Sequence, residues 1–546
     1  MTTIRPAGDA GLLLEITAGG SDLDGNGAAR IAAAIRAAAL PGVIDVVPGA
    51  CTVFVGYAPG RADAASLASR LRQVASTPAA PLPTANQPDL VIPTIYDGPD
   101  LDEVAAVTGL SDIEVIARHA AARYRVGWLG FSPGFGYLTG LDPVLAAVPR
   151  RASPRVSVPA GSVAIAGGLA AVYPAASPGG WRLIGRTNRV LWDPGRDPPA
   201  LLSPGRHVRF RMVERLPRPP AAPDLMPSQA GDRAIEVLQP GPLTTVQDLG
   251  RPGLAHLGVP HSGAADQVSL RSANRLVGNP DSTACLEVTL GRLSVRFHGA
   301  AVAAVTGAPV PLTVVAEREP GDGSVPVHGD GPPDAAAPRP GTAFAVPAGS
   351  VLRLGSPTGG LRSYLAVAGG IDVPPVLGSR SADRLSGLGP QPVRPGDWLR
   401  VGRPRSPREE PRDDGPGTSE AAAGTGPVTL RVLAGPRDDW FVATAPDSLA
   451  AGEYEVTAAS DRTGLRLAGP PLARSAGRPG ELPSEGVATG SLQVTHDGLP
   501  ILLLADHPTT GGYPVIAVVL SADLGLAAQL RPGQRVRFTV RAAGPL

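Results

Sequence analysis

The sequence predicts a mainly β chain with α+β parts, a small α/β unit at the N-terminus followed by several barrel-like β units. Three observations carry that expectation. Glycine (69) and proline (62) are abundant among the 546 residues, which favours many short strands and turns over long helices. Residues 1–80 alternate strand-like and helix-like pieces. Two short stretches also recur: "VPAGSV" at Val158–Val163 and Val346–Val351, and "PGRHVRF" from Pro204, echoed as "PGQRVRF" from Pro532. Each joins a turn to the start of a strand, as repeated β units would. A chain this long exceeds one hydrophobic core and divides into several domains.

In residues 1–80, "GLLLEI" and "VIDVVPGACTVFVGY" are rich in branched apolar residues and read as strands. "GAARIAAAIRAAAL" and "ADAASLASRLRQVAS" space their apolar residues at helical intervals. The prolines of "TPAAPLPTANQP" favour an extended joint. A second unit, residues 90–215, opens with a strand and two short helices, Ser111 and Glu114 being spaced for a capping box. Short strands complete it. A proline-rich linker at 216–232 joins the two halves of the chain. Residues 233–401 and 428–546 form two further β units. Between them 402–427 is charged, rich in Pro and Gly and nearly free of large apolar residues, the composition of a disordered linker.

A formal net charge of +1 gives no reason to expect nucleic acid or an anionic membrane as partner. All 49 residues counted as Lys+Arg are arginine. That removes a phosphate-loop lysine, a Schiff-base lysine and a biotinylated lysine from this polypeptide. Cys51 and Cys285, the two cysteines, form neither a disulfide framework nor a zinc pattern, and no metal site is expected. Apolar runs fall short of the roughly 20 residues that span a bilayer. With no secretory pattern at the N-terminus, the expectation is a soluble, cytoplasmic protein.

The stretch "VGWLGFSPGFGYLTGLDP", Val126–Pro143, sets aromatic residues among glycines. Glycines let backbone approach a ligand closely, while Phe135 and Tyr137 can wall a pocket. Arg150, Arg151 and Arg155 follow and could hold an anion in two-pronged fashion. His119 is the candidate general acid/base of this half, because histidine titrates nearest neutrality. It equally fits a helix-surface position near a C-terminus. In the second half, "TTVQDLGRPGLAHLGVPHSGAADQ" and the residues after it supply Gln247, Asp248, Arg251, Asp266 and Asn274. An acid beside an arginine, as in "QDLGRPG", also reads as a loop clamp. Further on, "PILLLADHPTTGGYP" runs an apolar strand into acid, hydroxyls and glycines, which delivers Asp506, Thr509, Thr510 and Tyr513 to a pocket rim. "SDRTGLRL" adds Asp461 and Arg462.

With "GFSPGFGYLTGLD", "VPAGSVAIAGG", "SPGGWRLIGRT" and "PGRHVRF", residues 1–215 resemble the B subunit of 5-oxoprolinase. Residues 233–546 are similar to its C subunit, through "TTVQDLGRPG", "GVPHSGAADQ", "LEVTLG", "YLAVAGGIDVPPVLGSRSAD" with its Arg380, "SDRTGLRL" and "TTGGYP". The same two families form the carboxyltransferase region of urea carboxylase. The resemblance implies a natural fusion of B and C, with cyclophilin-like β-barrel units, one in the first half and two in the second. It also implies ATP-dependent opening of the cyclic amide 5-oxo-L-proline to L-glutamate together with a separate A-type subunit. Amide resonance makes a lactam a poor electrophile, so phosphorylating its carbonyl oxygen creates a leaving group. Arginines and backbone N–H groups would then stabilise the developing charge. His119, Arg251 and Asp266 are the expected catalytic groups, and the other named residues are expected to bind substrate or nucleotide. ATP, with Mg, would be shared with the partner, and a homo-oligomer is left open. His507, Pro508 and Val515 depart from the family pattern around "TTGGYP", which leaves room for a changed specificity.

Two other functions fit the same residues. One is biotin-dependent carboxyl transfer to urea or another amide, with biotin on a separate carrier. The other is a non-catalytic protein that regulates a kinase, against which retention of the C-like half argues. In either enzyme reading neither half has a complete acid, base and anion hold, so the site is expected between the halves. There the Phe131–Leu141 loop would face Arg251, Asp266 or Thr510.

Overall fold

The computed structural model describes residues 2–16, 26–77, 82, 84, 87–151, 153–216, 233–316, 338–404, 426–478 and 482–542. The linker expected at 216–232 lies outside the described residues but for its first member, and so does 405–425 of the segment expected to be disordered.

The N-terminal unit is an antiparallel sheet of Thr2–Pro6, Gly11–Ile16, Thr52–Tyr57 and Val43–Pro48, in that spatial order. Two helices, Gly27–Ala37 and Ala64–Ser76, cover one face, where Leu12, Leu14, Val53 and Val55 meet Ala32, Ile35, Leu67 and Leu71. Asp63 caps the second helix by accepting the Ser66 N–H at 2.9 Å. The opposite face is buried as well: Leu13, Val47 and Phe54 pack on Ala255 and Ala488 of the second half. A strand buried on both faces loses its polar alternation, which is why "GLLLEI" is apolar at successive positions.

The next unit curls a seven-stranded sheet from Leu90–Thr94 to His207–Met212. A bridge between Ile95 and Arg186 brings the far edge strand, Arg182–Arg186, back to the first, so the barrel is nearly closed. The helix Asp112–Ala121 carries the capping box expected at Ser111 and Glu114. In residues 233–404 two five-stranded sheets enclose one core, with Ile235, Val295 and Leu352 from one sheet facing Leu286, Val305 and Leu365 from the other. The last unit is a closed seven-stranded barrel from Val428–Ala434 to Arg535–Arg541.

The repeated "PGxxVRF" stretch has one structural meaning in both places. His207–Met212 runs parallel to the first strand of its barrel, Leu90–Thr94. Arg535–Arg541 likewise runs parallel to Val428–Ala434. In each barrel the stretch opens the closing strand.

The first and last units of the chain are neighbours in space. Arg437 of the last barrel pairs with Glu15 and Glu485, and Asp9 accepts the Ser521 N–H and hydroxyl. Among the described residues no helix is long and apolar enough to cross a membrane. Leu14 has no exposed surface, whereas Ile113 is 79% exposed. Leu14→Ala should therefore cost about 2–5 kcal/mol and Ile113→Ala less than about 0.5 kcal/mol, read from guanidinium denaturation curves.

Candidate functional site

Three segments that are far apart in sequence meet at one junction. The Tyr124–Leu129 strand ends in the glycine-aromatic loop, in which Phe131 is held at φ +62°. A bulky residue in that left-handed region stores strain, as functional loops often do. The Phe131 N–H donates to Thr510 Oγ1 at 2.8 Å. Gly130 makes this approach possible, because a Cβ there would collide with the Thr510 side chain. On the other side, the Gly134 N–H donates to the Leu257 carbonyl at 3.0 Å, and Gly258 lies so close to Ser132 that a Cβ would run into its carbonyl oxygen. The loop of the first half is thus gripped by two loops of the second.

Tyr137 supplies the floor. Its ring stacks on Trp128 at 4.6 Å and meets Phe135 edge-on at 5.0 Å. Its hydroxyl accepts from Ser484 Oγ at 3.3 Å and lies 3.2 Å from Thr510 Oγ1. Either hydroxyl of the Tyr137–Thr510 pair can donate; with Tyr137 as the donor, the Thr510 proton, on an oxygen that already accepts from Phe131, is left to donate elsewhere. Thr510–Gly511 pairs with Glu485–Gly486 as a two-stranded ladder, and the Ala50 N–H of the N-terminal unit donates to the Ser484 carbonyl at 2.8 Å. Arg150 reaches the same place, its Nη1 2.9 Å from where a Cβ on Gly512 would be. Hydroxyls and a guanidinium around a glycine turn can hold a carbonyl or carboxylate oxygen.

A second cluster lies between the two β units of the second half. Arg462, 2% exposed, donates to Asp506 from Nε at 2.8 Å and from Nη2 at 2.9 Å. It also pairs with Glu287 and donates to the Gly263 carbonyl at 2.5 Å. Ser262, at φ +53°, donates its hydroxyl to Asp506 at 2.9 Å. Burial opposes the charge on Glu287, but the Arg462 and Arg362 guanidiniums prevail and hold its carboxyl below the usual range. Every group in this cluster answers another, which makes it a joint between units.

Several residues singled out from the sequence hold structure. His119 is fully buried against Tyr96, Tyr124 and Phe210, and burial pushes its pKa down to about 3. An imidazole locked neutral among aromatic rings manages no protons at the junction. Arg251 clamps a loop, donating to the Val376 and Ser381 carbonyls at 3.0 and 2.5 Å. Asp266 caps the Gln267–Leu276 helix through the Ser269 N–H and accepts from Gln529 at 2.9 Å. Asp248 gathers Ser379, Ser381 and the Arg380 N–H, while Gln247 ties down the Ala382 carbonyl. Asn274 donates to the Thr283 carbonyl, Asp461 accepts the Thr463 N–H, and Arg380 reaches Asp372. Arg155 and Arg151 are both spent on Asp100. Asp248, Gln247, Arg251, Asp266, Asn274 and Asp461 satisfy backbone groups of nearby turns and helix ends, whereas Arg151, Arg155 and Arg380 pair with carboxylates.

Of the residues expected from the sequence, the structure brings Phe135, Tyr137, Arg150 and Thr510 to the junction, with Thr509 adjacent. Tyr513 stands beside His496, with its carbonyl accepting from Gln493. Sequence patterns do not single out Ser484 or Arg437, and "LEVTLG" carries Glu287 without showing what it pairs with. Only their partners, up to hundreds of residues away, give them a role.

Arg462→Ala would leave Asp506 buried without its cation and Glu287 with Arg362 alone. It should cost about 3–5 kcal/mol, measured by denaturation at neutral pH. Asp383 is raised to about 6 by burial and then by the Asp506 charge. A carboxyl with a raised folded pKa lends stability at low pH that is lost as pH climbs. Denaturation midpoints of the wild type should therefore fall between about pH 4 and 6, and Asp383→Asn should flatten that slope.

Residues 2–202 match the family described as carboxyltransferase domain, subdomain C and D, and residues 257–540 match subdomain A and B. The 5-oxoprolinase C subunit of Escherichia coli (strain K12) is 37% identical over 307 residues, 56% of this chain and 90% of that protein. The 5-oxoprolinase B subunit of Escherichia coli O157:H7 is 44% identical over 174 residues, 31% of this chain and 78% of that protein. The crystal structure of TTHA0988 is similar along its whole length, with 35% identity, a TM-score of 0.80 and coverage of 98% of this chain and 100% of that one. A single polypeptide here spans sequence that its relatives carry as separate B and C subunits, and it belongs to the carboxyltransferase-domain family, with subdomains C and D preceding A and B.

Proposed function

We propose that this chain provides the B and C functions of a 5-oxoprolinase, opening 5-oxo-L-proline to L-glutamate with ATP and a separate partner of the A type. One observation carries the reading: the glycine-aromatic loop of the B-like half is seated on Thr510 of the C-like half. A substrate held there would touch both halves. The lactam carbonyl would accept from the Thr510 hydroxyl, and the carboxylate would meet Arg150. Donation from Tyr137 to Thr510 would leave the Thr510 proton for the lactam. Joining the halves raises their effective concentration for each other, which favours a site that both must build.

The residues of this chain do not fit Mg-ATP. It has no lysine, and Arg155, Arg462 and Arg251 are engaged with Asp100, with Asp506 and with a backbone carbonyl. Among the described residues no three His, Cys, Asp or Glu side chains are grouped to hold a metal ion. We therefore assign ATP and Mg to the A-type partner, and the grip on the lactam to this chain. A reaction fed by ATP belongs in the cytoplasm.

The test is glutamate formation from 5-oxoproline by the full chain with an A-type partner, with ATP present and absent. Turnover should need both proteins. Thr510→Val should lower kcat by about a hundredfold, the loss of one oxyanion-type donor, and Arg150→Ala should mainly raise KM. Carboxyl transfer from a biotin carrier to an amide, with no 5-oxoproline cleavage, would overturn the reading.

A further inference from the structure

A cavity of about 190 Å³ lies where the N-terminal sheet, the Ala255–His261 segment and the last barrel come together. Its lining includes the apolar side chains of Val47, Phe54, Val487 and Val518 and the polar ones of Asp45, His261, Thr489 and Thr509. We propose that this cavity is a second binding site, for a small primary ammonium ion carrying a short apolar tail.

The hydrogen bonds of the polar wall set the ligand's chemistry. His507 Nδ1 lies 2.8 Å from the Pro508 carbonyl, which can only accept, so Nδ1 carries the proton. Burial lowers the pKa of His507 to about 4 and keeps it neutral. Its Nε2 therefore accepts from the Thr489 hydroxyl at 3.0 Å, and the lone pairs of Thr489 are left facing a ligand. Asp45 accepts the Ala255 N–H at 3.2 Å. Burial raises its pKa, and the charged group that eases it is the His261 imidazole, not an arginine. His261 is itself held towards the neutral form by burial. Thr509 Oγ1 is buried with no hydrogen-bond partner.

The wall thus offers three acceptors, the Asp45 carboxylate, a ring nitrogen of neutral His261 and the Thr489 oxygen, to match the three N–H bonds of an ammonium group. The cation gives Asp45 a full counter-charge, which His261, held towards its neutral form by burial, supplies only in part. An anion is disfavoured, because Asp9 and Asp45 line the cavity and no arginine does. The carboxylate of 5-oxoproline has no partner here, so this site is distinct from the Thr510 junction and does not depend on the proposed turnover.

Calorimetric titration of the full chain with n-propylammonium chloride tests the assignment directly, with sodium propionate and 1-propanol as probes of matched size. The ammonium should bind saturably to one site, and the other two should give only dilution heats. Asp45→Asn should weaken binding tenfold or more, as expected for loss of a charge-assisted hydrogen bond. Ala488→Leu, which fills the cavity and leaves the polar wall intact, should abolish it. Should Asp45→Asn fail to fold, as judged by thermal melting, Ala488→Leu and Thr489→Val, which removes an acceptor and should weaken ammonium binding, decide. No saturable ammonium binding, equal binding of propionate or propanol, or ammonium binding unchanged by Ala488→Leu would each overturn the proposal.

Discussion

A buried guanidinium spans the two β units of the second half. Arg462 binds Asp506 with two of its nitrogens, Glu287 with a third, and the Gly263 carbonyl besides. Asp506 belongs to the last barrel and Glu287 to the preceding sheet, so the charge is shared across the interface. A charge so deeply buried is tolerable only when every partner is in place. The relative position of the two units follows from that demand.

Both functional loops start from this hub. Asp506 stands four positions before Thr510, and Ser262, which donates to Asp506, directly follows His261. The "HPTTGG" segment is therefore aimed from a fixed base, with Thr510 turned towards the first barrel and His507 and Thr509 towards the cavity. The "HSG" turn carries His261 to the same cavity from the opposite side. A rigid acid-arginine joint under two glycine turns holds hydroxyls and imidazoles with little side-chain freedom.

The N-terminal sheet closes the arrangement. It packs helices on one face and the second half on the other, and its polar contacts through Glu15, Asp9 and Ala50 all reach the last unit. The chain returns on itself, so the first 57 residues border both the Thr510 junction and the ammonium cavity. The B-like and C-like halves thus meet closely although each has its own cores.

Periodicity and turn chemistry were readable without any structure. The helical spacing in "GAARIAAAIRAAAL", the capping box at Ser111 and Glu114, and the "PGxxVRF" echo are local, and local patterns are written in adjacent residues. The glycine-aromatic loop was expected against Arg251, Asp266 or Thr510, since neither half holds a complete acid, base and anion set, and it meets Thr510. Individual roles were not legible. Asp266 and Asp248 turned out to cap backbone, Arg251 to clamp a loop, and His119 to sit neutral among aromatic rings. Whether a polar residue binds a ligand or satisfies a buried N–H depends on which groups lie within about 3 Å of it. For Asp45 and His261, or Glu287 and Arg462, those groups come from other units, and only tertiary packing decides that they meet.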